Sequence, residues 1–179
     1  MKTWNFGIIG PGKIANRFAD AFQFVPRAKL YAIASRDKSK GNAFAAAHPV
    51  DKIYDSYESL LKDPAVDVVY IATPHPFHYE QTLLCLNHGK AVLCEKPAAI
   101  NLQQIKAMTD LSRSKKIFFM EGMWSRFFPV INKALELIKS GAIGEIKYLN
   151  ADFGFAAPVN PDSRIYKLAL GGGELCLSR

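Results

Sequence analysis

Short apolar runs alternate with stretches of helical periodicity from the first residues onward. Phe6-Gly7-Ile8-Ile9 is a β-type run, and an amphipathic stretch over 13–24 follows it. Residues 30–34 form a second apolar run, 39–47 an alanine-rich helix, and Ile53-Tyr54 a brief third strand. The run over 66–72 is nearly all β-branched or aromatic and predicts the most deeply buried strand. A helix over 77–87 is predicted to stop near Gly89, and 91–94 is the fifth strand. Asn101 caps a further helix that carries Ile105, Met108 and Leu111, and 117–120 is a sixth strand. Pro129 opens a helix bearing Ile131, Leu135 and Ile138 that ends at Gly141. Strand and helix alternating with short connections predict an α/β fold, a doubly wound parallel sheet covered on both faces. After Gly144 the rhythm changes. Residues 146–155 read as one long strand, broken off by Pro158 and Pro161.

Composition narrows the class. The chain has 179 residues, one domain and a remainder at about 150 residues per domain. With 49% hydrophobic and 22% charged residues it is an ordinary globular mix, which excludes disordered, collagen-like and coiled-coil readings. The net charge of +7 suits an anionic partner, nucleic acid or phosphorylated small molecule. No basic helix or aromatic–basic repeat supports nucleic acid. Cys85, Cys94 and Cys176 are too few and too scattered for a disulfide framework or a metal site. No apolar run suits a signal peptide or a membrane span, so the expectation is a cytoplasmic protein with no membrane partner.

The first candidate chemistry follows the first strand. Gly10-Pro11-Gly12-Lys13-Ile14-Ala15 is a Gly-x-Gly-x-x-Ala turn at the mouth of a helix. Gly10 allows the tight turn, Gly12 lets the backbone approach a diphosphate, and Ala15 allows close helix–strand packing. The amides of Lys13, Ile14 and Ala15, at the positive end of the helix dipole, face the anion. The end of the second strand selects the dinucleotide. Ser35 occupies the position where an acidic residue usually holds a free ribose 2′-hydroxyl, Arg36 follows, and Lys40 is near. A guanidinium suits a 2′-phosphate, which favours NADP over NAD. Asp37 keeps the NAD reading open, and a solvated basic loop that caps the next helix is the plain alternative.

Two more strand ends carry chemistry. Thr73-Pro74-His75-Pro76-Phe77-His78 follows the fourth strand, and Glu95-Lys96-Pro97 follows the fifth. Both lie where open α/β sheets bind ligands. Lys96 can hold or polarise a substrate oxygen, with Glu95 and the histidines tuning or relaying its proton. Pro97 raises the chance of a cis bond after Lys96. Alternatively, His75 and His78 are helix-start residues, and Glu95 and Lys96 form a surface ion pair of little energetic consequence.

These segments, with Gly89-Lys90-x-Val92-Leu93-Cys94-Glu95-Lys96-Pro97 and Glu121-Gly122-Met123-Trp124-Ser125-Arg126-Phe127-Phe128-Pro129, resemble the glucose–fructose oxidoreductase, inositol dehydrogenase and rhizopine catabolism protein family. Trp-x-Arg-Phe-Phe-Pro resembles in particular the branch holding dimeric dihydrodiol dehydrogenases and NADP-dependent xylose dehydrogenases. The resemblance runs to about Gly173. It implies a Rossmann domain over 1–122, then over 123–179 the start of a second α/β domain with a mostly antiparallel sheet, often dimerising. It implies hydride transfer between NAD(P) and a hydroxyl-bearing carbon, and with the Ser35-Arg36 segment the expectation is NADP and a sugar or cyclic trans-dihydrodiol. Lys96 matches the family's catalytic lysine, with His78 beside it as a further catalytic candidate. Ser35 and Arg36 match readers of the 2′-phosphate, and Thr73, Pro74, His75, Glu95, Trp124 and Arg126 join the cofactor-binding candidates. His75 stands where many relatives carry asparagine. Trp124 and Phe153 match aromatic positions flanking the substrate, and no metal is implied.

Family members run to roughly twice this length and continue differently after the triple glycine. The ending Glu174-Leu175-Cys176-Leu177-Ser178-Arg179 therefore reads as a truncated product, such as a reading-frame slip leaves, with full catalysis lost. A homo-oligomer is expected if the second domain were complete. The alternative function is a non-catalytic dinucleotide-binding module or redox sensor.

Overall fold

The computed structural model describes residues 1–152, 154, 156, 159–161, 166 and 167. Six strands form one parallel sheet: β1 (Trp4–Ile9), β2 (Ala28–Ala34), β3 (Lys52–Tyr54), β4 (Val68–Ile71), β5 (Ala91–Cys94) and β6 (Phe119–Glu121). Their order across the sheet is β3-β2-β1-β4-β5-β6. The chain runs outward from β1 to β3, returns to β4 on the other side of β1, and runs outward again. That reversal opens a crevice beyond the carboxyl ends of β1 and β4, the place where such sheets bind ligands. Six helices connect and follow the strands: α1 (Lys13–Asp20), α2 (Lys38–Ala47), α3 (Tyr57–Lys62), α4 (His78–Asn87), α5 (Leu102–Lys115) and α6 (Pro129–Lys139).

The alternation of side chains along each strand divides the core in two. Ile9, Ala34, Val69, Ile71, Val92 and Cys94 face one side, against Leu60, Leu61, Leu86 and Met108 of α3, α4 and α5. Ile8, Ile33, Tyr70 and Ala72 face the other, against Ala15 and Ala19 of α1 and Phe44 of α2. Both faces are buried, so the strands read as nearly unbroken apolar runs.

Several expectations shift. The helix expected over 13–24 is α1 followed by a 3-10 turn, Ala21–Phe24. The helix expected from 77 begins as a 3-10 turn, His75–Phe77, and continues as α4. The sixth strand starts two residues later and ends one residue later than the sequence suggests. Helix α3 was not foreseen; its six residues are too few for a periodicity, although Ser56 caps it by accepting from the Ser59 amide. The strand expected over 146–155 is absent from the described residues 146–152 and 154. Among the described residues no strand lies there to pair with it, and Ile146, Tyr148 and Leu149 are exposed. An extended segment without ladder partners gains nothing from β geometry. The second, antiparallel sheet is likewise not found among the described residues. Phe153, a substrate candidate, lies outside the described residues, as do residues 174–179.

Candidate dinucleotide and hydride-transfer site

The glycine turn sits at the sheet's reversal. Gly10 has φ +91°, and a Cβ there would come 2.8 Å from Thr73 Cγ2 and 3.2 Å from the Thr73 amide. The protein itself therefore demands glycine at this position, both for the backbone and for the close approach of β1 to β4. Gly12 differs. A Cβ on it would meet nothing nearer than the Ala72 carbonyl at 3.9 Å. Gly12 is the N-cap of α1, and among the described residues no side chain accepts from the first amides of that helix. An uncapped helix start beside open space is an anion site in waiting. Ala15, fully buried, brings α1 onto the sheet.

At the end of β2 the side chains have distinct tasks. Ser35 is buried, its hydroxyl donates to the Asp37 carbonyl at 2.7 Å, and its oxygen receives the Asp37 amide at 3.2 Å. The one proton of Ser35 is thus committed within the turn. Asp37 caps α2, accepting from the Ser39 hydroxyl at 2.6 Å and the Ser39 and Lys40 amides at 2.9 and 3.3 Å. Those bonds, the Ser39 hydroxyl first, hold its carboxyl below the usual range. The carboxylate that kept NAD open is therefore a helix cap. Lys40 Nζ stands 3.6 Å from the other Asp37 oxygen. The Arg36 guanidinium lies between two rings, 5.8 Å from Tyr57 and 6.0 Å from Phe77. Those contacts join the basic loop to the segment after β4.

The third part is the pair of turns after β4 and β5. The Lys96–Pro97 bond is cis. His78 is fully buried, with Nδ1 2.8 Å from the Pro97 carbonyl and Nε2 2.8 Å from the Thr73 carbonyl. Its ring is thus packed between the two turns, which places this catalytic candidate behind them and away from solvent. His75 is buried beside it, ring centroids 5.7 Å apart. Thr73 donates to Gln81 Oε1 at 2.6 Å. Glu95 accepts from the Tyr70 hydroxyl at 2.5 Å and from the Lys96 amide at 3.2 Å. Burial first, and then Glu95, push the Tyr70 phenol far above its ordinary range, so it is a fixed donor. Glu121 accepts from the Ala98 amide at 2.8 Å and holds the far side of the cis-proline turn. Lys96 itself is half-buried, and among the described residues its ammonium makes no hydrogen bond or ion pair. Glu95 and Lys96 are therefore not the surface ion pair that adjacency allowed.

Trp124 and Arg126 lie in a 3-10 turn (Trp124–Phe127) just beyond β6, and both are exposed; Trp124 stands edge-on to Phe128 at 5.0 Å. Sequence reasoning missed Tyr70 and Glu121 as supports. Their partners are 25 and 23 positions away and become neighbours only through the pairing of β4, β5 and β6.

A family model described as an oxidoreductase family with an NAD-binding Rossmann fold matches residues 4–123, and the chain belongs to that family. It is similar to trans-1,2-dihydrobenzene-1,2-diol dehydrogenases. The Xenopus laevis enzyme is 41% identical over 172 residues, 95% of this chain and 52% of that protein. The Mus musculus enzyme is 42% identical over 174 residues, 96% and 52% of the two chains. The chain thus spans about half the length of the curated relatives it matches. Among solved structures, an NAD-binding oxidoreductase from Klebsiella pneumoniae superposes with TM-score 0.75 at 34% identity, covering 80% of this chain and 40% of that one. A 3-ketoreductase from Actinomadura kijaniata in complex with NADP gives 0.74 at 28% identity, covering 82% and 47%. No helix among the described residues is long and apolar enough to cross a membrane.

Proposed function

We propose that the protein is an NADP-dependent oxidoreductase acting on a hydroxyl-bearing carbon of a sugar or a cyclic trans-dihydrodiol, with residues 1–122 as its dinucleotide-binding domain. The observation that carries this reading is the uncapped start of α1 beside the open space at Gly12, in the crevice between β1 and β4. Gly10, Gly12 and the amides of Lys13, Ile14 and Ala15 would hold the diphosphate. Arg36 and Lys40 would receive the 2′-phosphate, and Ser35 would shape that turn from below, its proton already given to Asp37. Thr73, Pro74, His75 and Glu95, with Trp124 and Arg126 at the rim, would border the nicotinamide end. The relatives named as dihydrodiol dehydrogenases and the 3-ketoreductase bound to NADP support the same class of chemistry.

When bound, the nicotinamide supplies the hydride acceptor or donor. The chain's own contribution centres on Lys96. Its ammonium, unpaired among the described residues, can donate to the substrate oxygen, stabilising negative charge as the carbon changes oxidation state. Glu95, held by Tyr70, fixes the backbone of Lys96 through its amide. His78 and Glu121 hold the cis-proline turn that carries the lysine, so they are positioning residues.

Fluorescence titration of NADPH and NADH into the protein and its Arg36→Ala variant tests the cofactor assignment. Loss of a charge-assisted contact predicts NADPH binding weakened by about ten- to a hundred-fold, with NADH unaffected. Equal affinity for both cofactors, unchanged by the substitution, would remove the 2′-phosphate from the account.

A further inference from the structure

The glycine turn is braced from the far end of α2, a helix that the dinucleotide reading uses only at its first turn, through Lys40. The Gly12 carbonyl accepts the Asn16 amide at 3.2 Å, the ordinary first bond of α1. It also accepts from Asn16 Nδ2 at 2.8 Å. With Nδ2 turned toward Gly12, the Asn16 Oδ1 is an acceptor, and it lies 2.9 Å from His48 Nε2. Only an N–H on Nε2 completes that pair. His48 is the C-cap residue of α2. Its side chain is 13% exposed, its ring lies 4.8 Å from that of Phe44, and Nδ1 is 3.6 Å from Asp20 Oδ1. A directed chain of hydrogen bonds thus runs from the end of α2, through Asn16, to the Gly12 carbonyl at the mouth of α1.

We propose that His48 and Asn16 are positioning residues for the diphosphate of the bound dinucleotide, acting through the Gly12–Lys13 peptide. This rests on the dinucleotide reading above. A trans peptide is rigid and carries its C=O and N–H on opposite sides. Holding the Gly12 carbonyl back along α1 therefore aims the Lys13 N–H out of the helix start, at the anion. The helix needs only one bond to Gly12 to close, and the backbone of Asn16 supplies it. The second bond and the His48 donor behind it leave helix closure as it was and narrow the swing of that one peptide. Preorganised amides bind an anion more tightly because less freedom is lost on binding.

The test titrates NADPH and adenosine 2′-monophosphate, which lacks the diphosphate, into the full chain and its Asn16→Ala, His48→Ala and His48→Gln variants, with thermal melts alongside. Asn16→Ala and His48→Ala are expected to weaken NADPH by about five- to ten-fold, the worth of one ordered hydrogen bond. The 2′-monophosphate should keep its affinity. His48→Gln, whose terminal amide offers an N–H near the position of Nε2–H, should restore most of the loss. Unchanged NADPH affinity in His48→Ala, equal losses for both ligands, or no rescue by glutamine would overturn the proposal and leave the dinucleotide reading standing. A parent chain that binds no NADPH would overturn that reading, and this one with it.

Discussion

Asp63 shows how much a single carboxylate can organise. Its Oδ2 accepts from Tyr31 at 3.1 Å, Lys52 at 2.8 Å and Tyr54 at 2.6 Å, while Oδ1 takes the Ala65 amide at 2.9 Å. The bonds from Lys52 and Tyr54 hold the carboxyl far below its usual range, against the opposing effect of burial. Lys52 is raised in return, first by Asp63. A carboxyl depressed in the folded state gives stability that is complete above its unfolded value, about 3.9, and is lost as pH falls below it. The melting temperature should therefore drop below about pH 4. Asp63→Asn should flatten part of that acid limb and cost about 2–4 kcal/mol at pH 7. An acid limb identical in the variant would refute the assignment. The cysteines behave oppositely. Burial pushes the Cys94 thiol up to about 12 and Cys85 higher still, so both are packing residues. Peptide mapping after iodoacetamide treatment at pH 8 should find both unmodified in the native protein and both alkylated in urea.

At the scale of elements, the site depends on turns held from outside the strands. Asn101 caps α5 by accepting the Gln104 amide at 2.9 Å, as its position in the sequence suggests. Lys90 is buried, and its ammonium donates to the carbonyls of Asp63 and Val66 at 2.7 and 2.8 Å, which pins the start of β5 to the approach of β4. Burial lowers its pKa. His78 does the same at the other end of these strands. His78→Leu would remove the ring that stands 2.8 Å from both the Thr73 and the Pro97 carbonyl, and with it the hydrogen bond its N–H makes, at a cost of about 1–3 kcal/mol. Denaturant melts measure that cost. A variant with parental stability would show that His78 is no tie between the turns.

Across the whole molecule, the sheet was legible because each strand is a compact apolar run and each connection carries its own stop. Gly10, Gly12 and Ala15 could be read because the turn needs small residues at fixed offsets. What stayed hidden depends on distance through the fold. Tyr70 meets Glu95 because the β4–β5 register sets Ile71 beside Cys94. His48 meets Asn16 because α2 packs beside α1. Neither spacing carries a local signal. His78 was recognised as significant, but its direction, inward between two carbonyls, could not be read from a helix-start position. The strand expected over 146–155 is missing from its described part, 146–152 and 154, because apolar content alone supplies no neighbouring ladder.

The central claim is that the space at Gly12 is kept clear for a diphosphate. Gly12 has φ −90° and ψ −174°, which any residue adopts, and a Cβ there meets only the Ala72 carbonyl at 3.9 Å. Gly12→Ala should therefore melt at or slightly above the parental temperature. Its affinity for NADPH, measured by fluorescence titration, should fall by at least about ten-fold, because the new methyl stands where the anion approaches. A variant that binds NADPH as tightly as the parent would contradict the account.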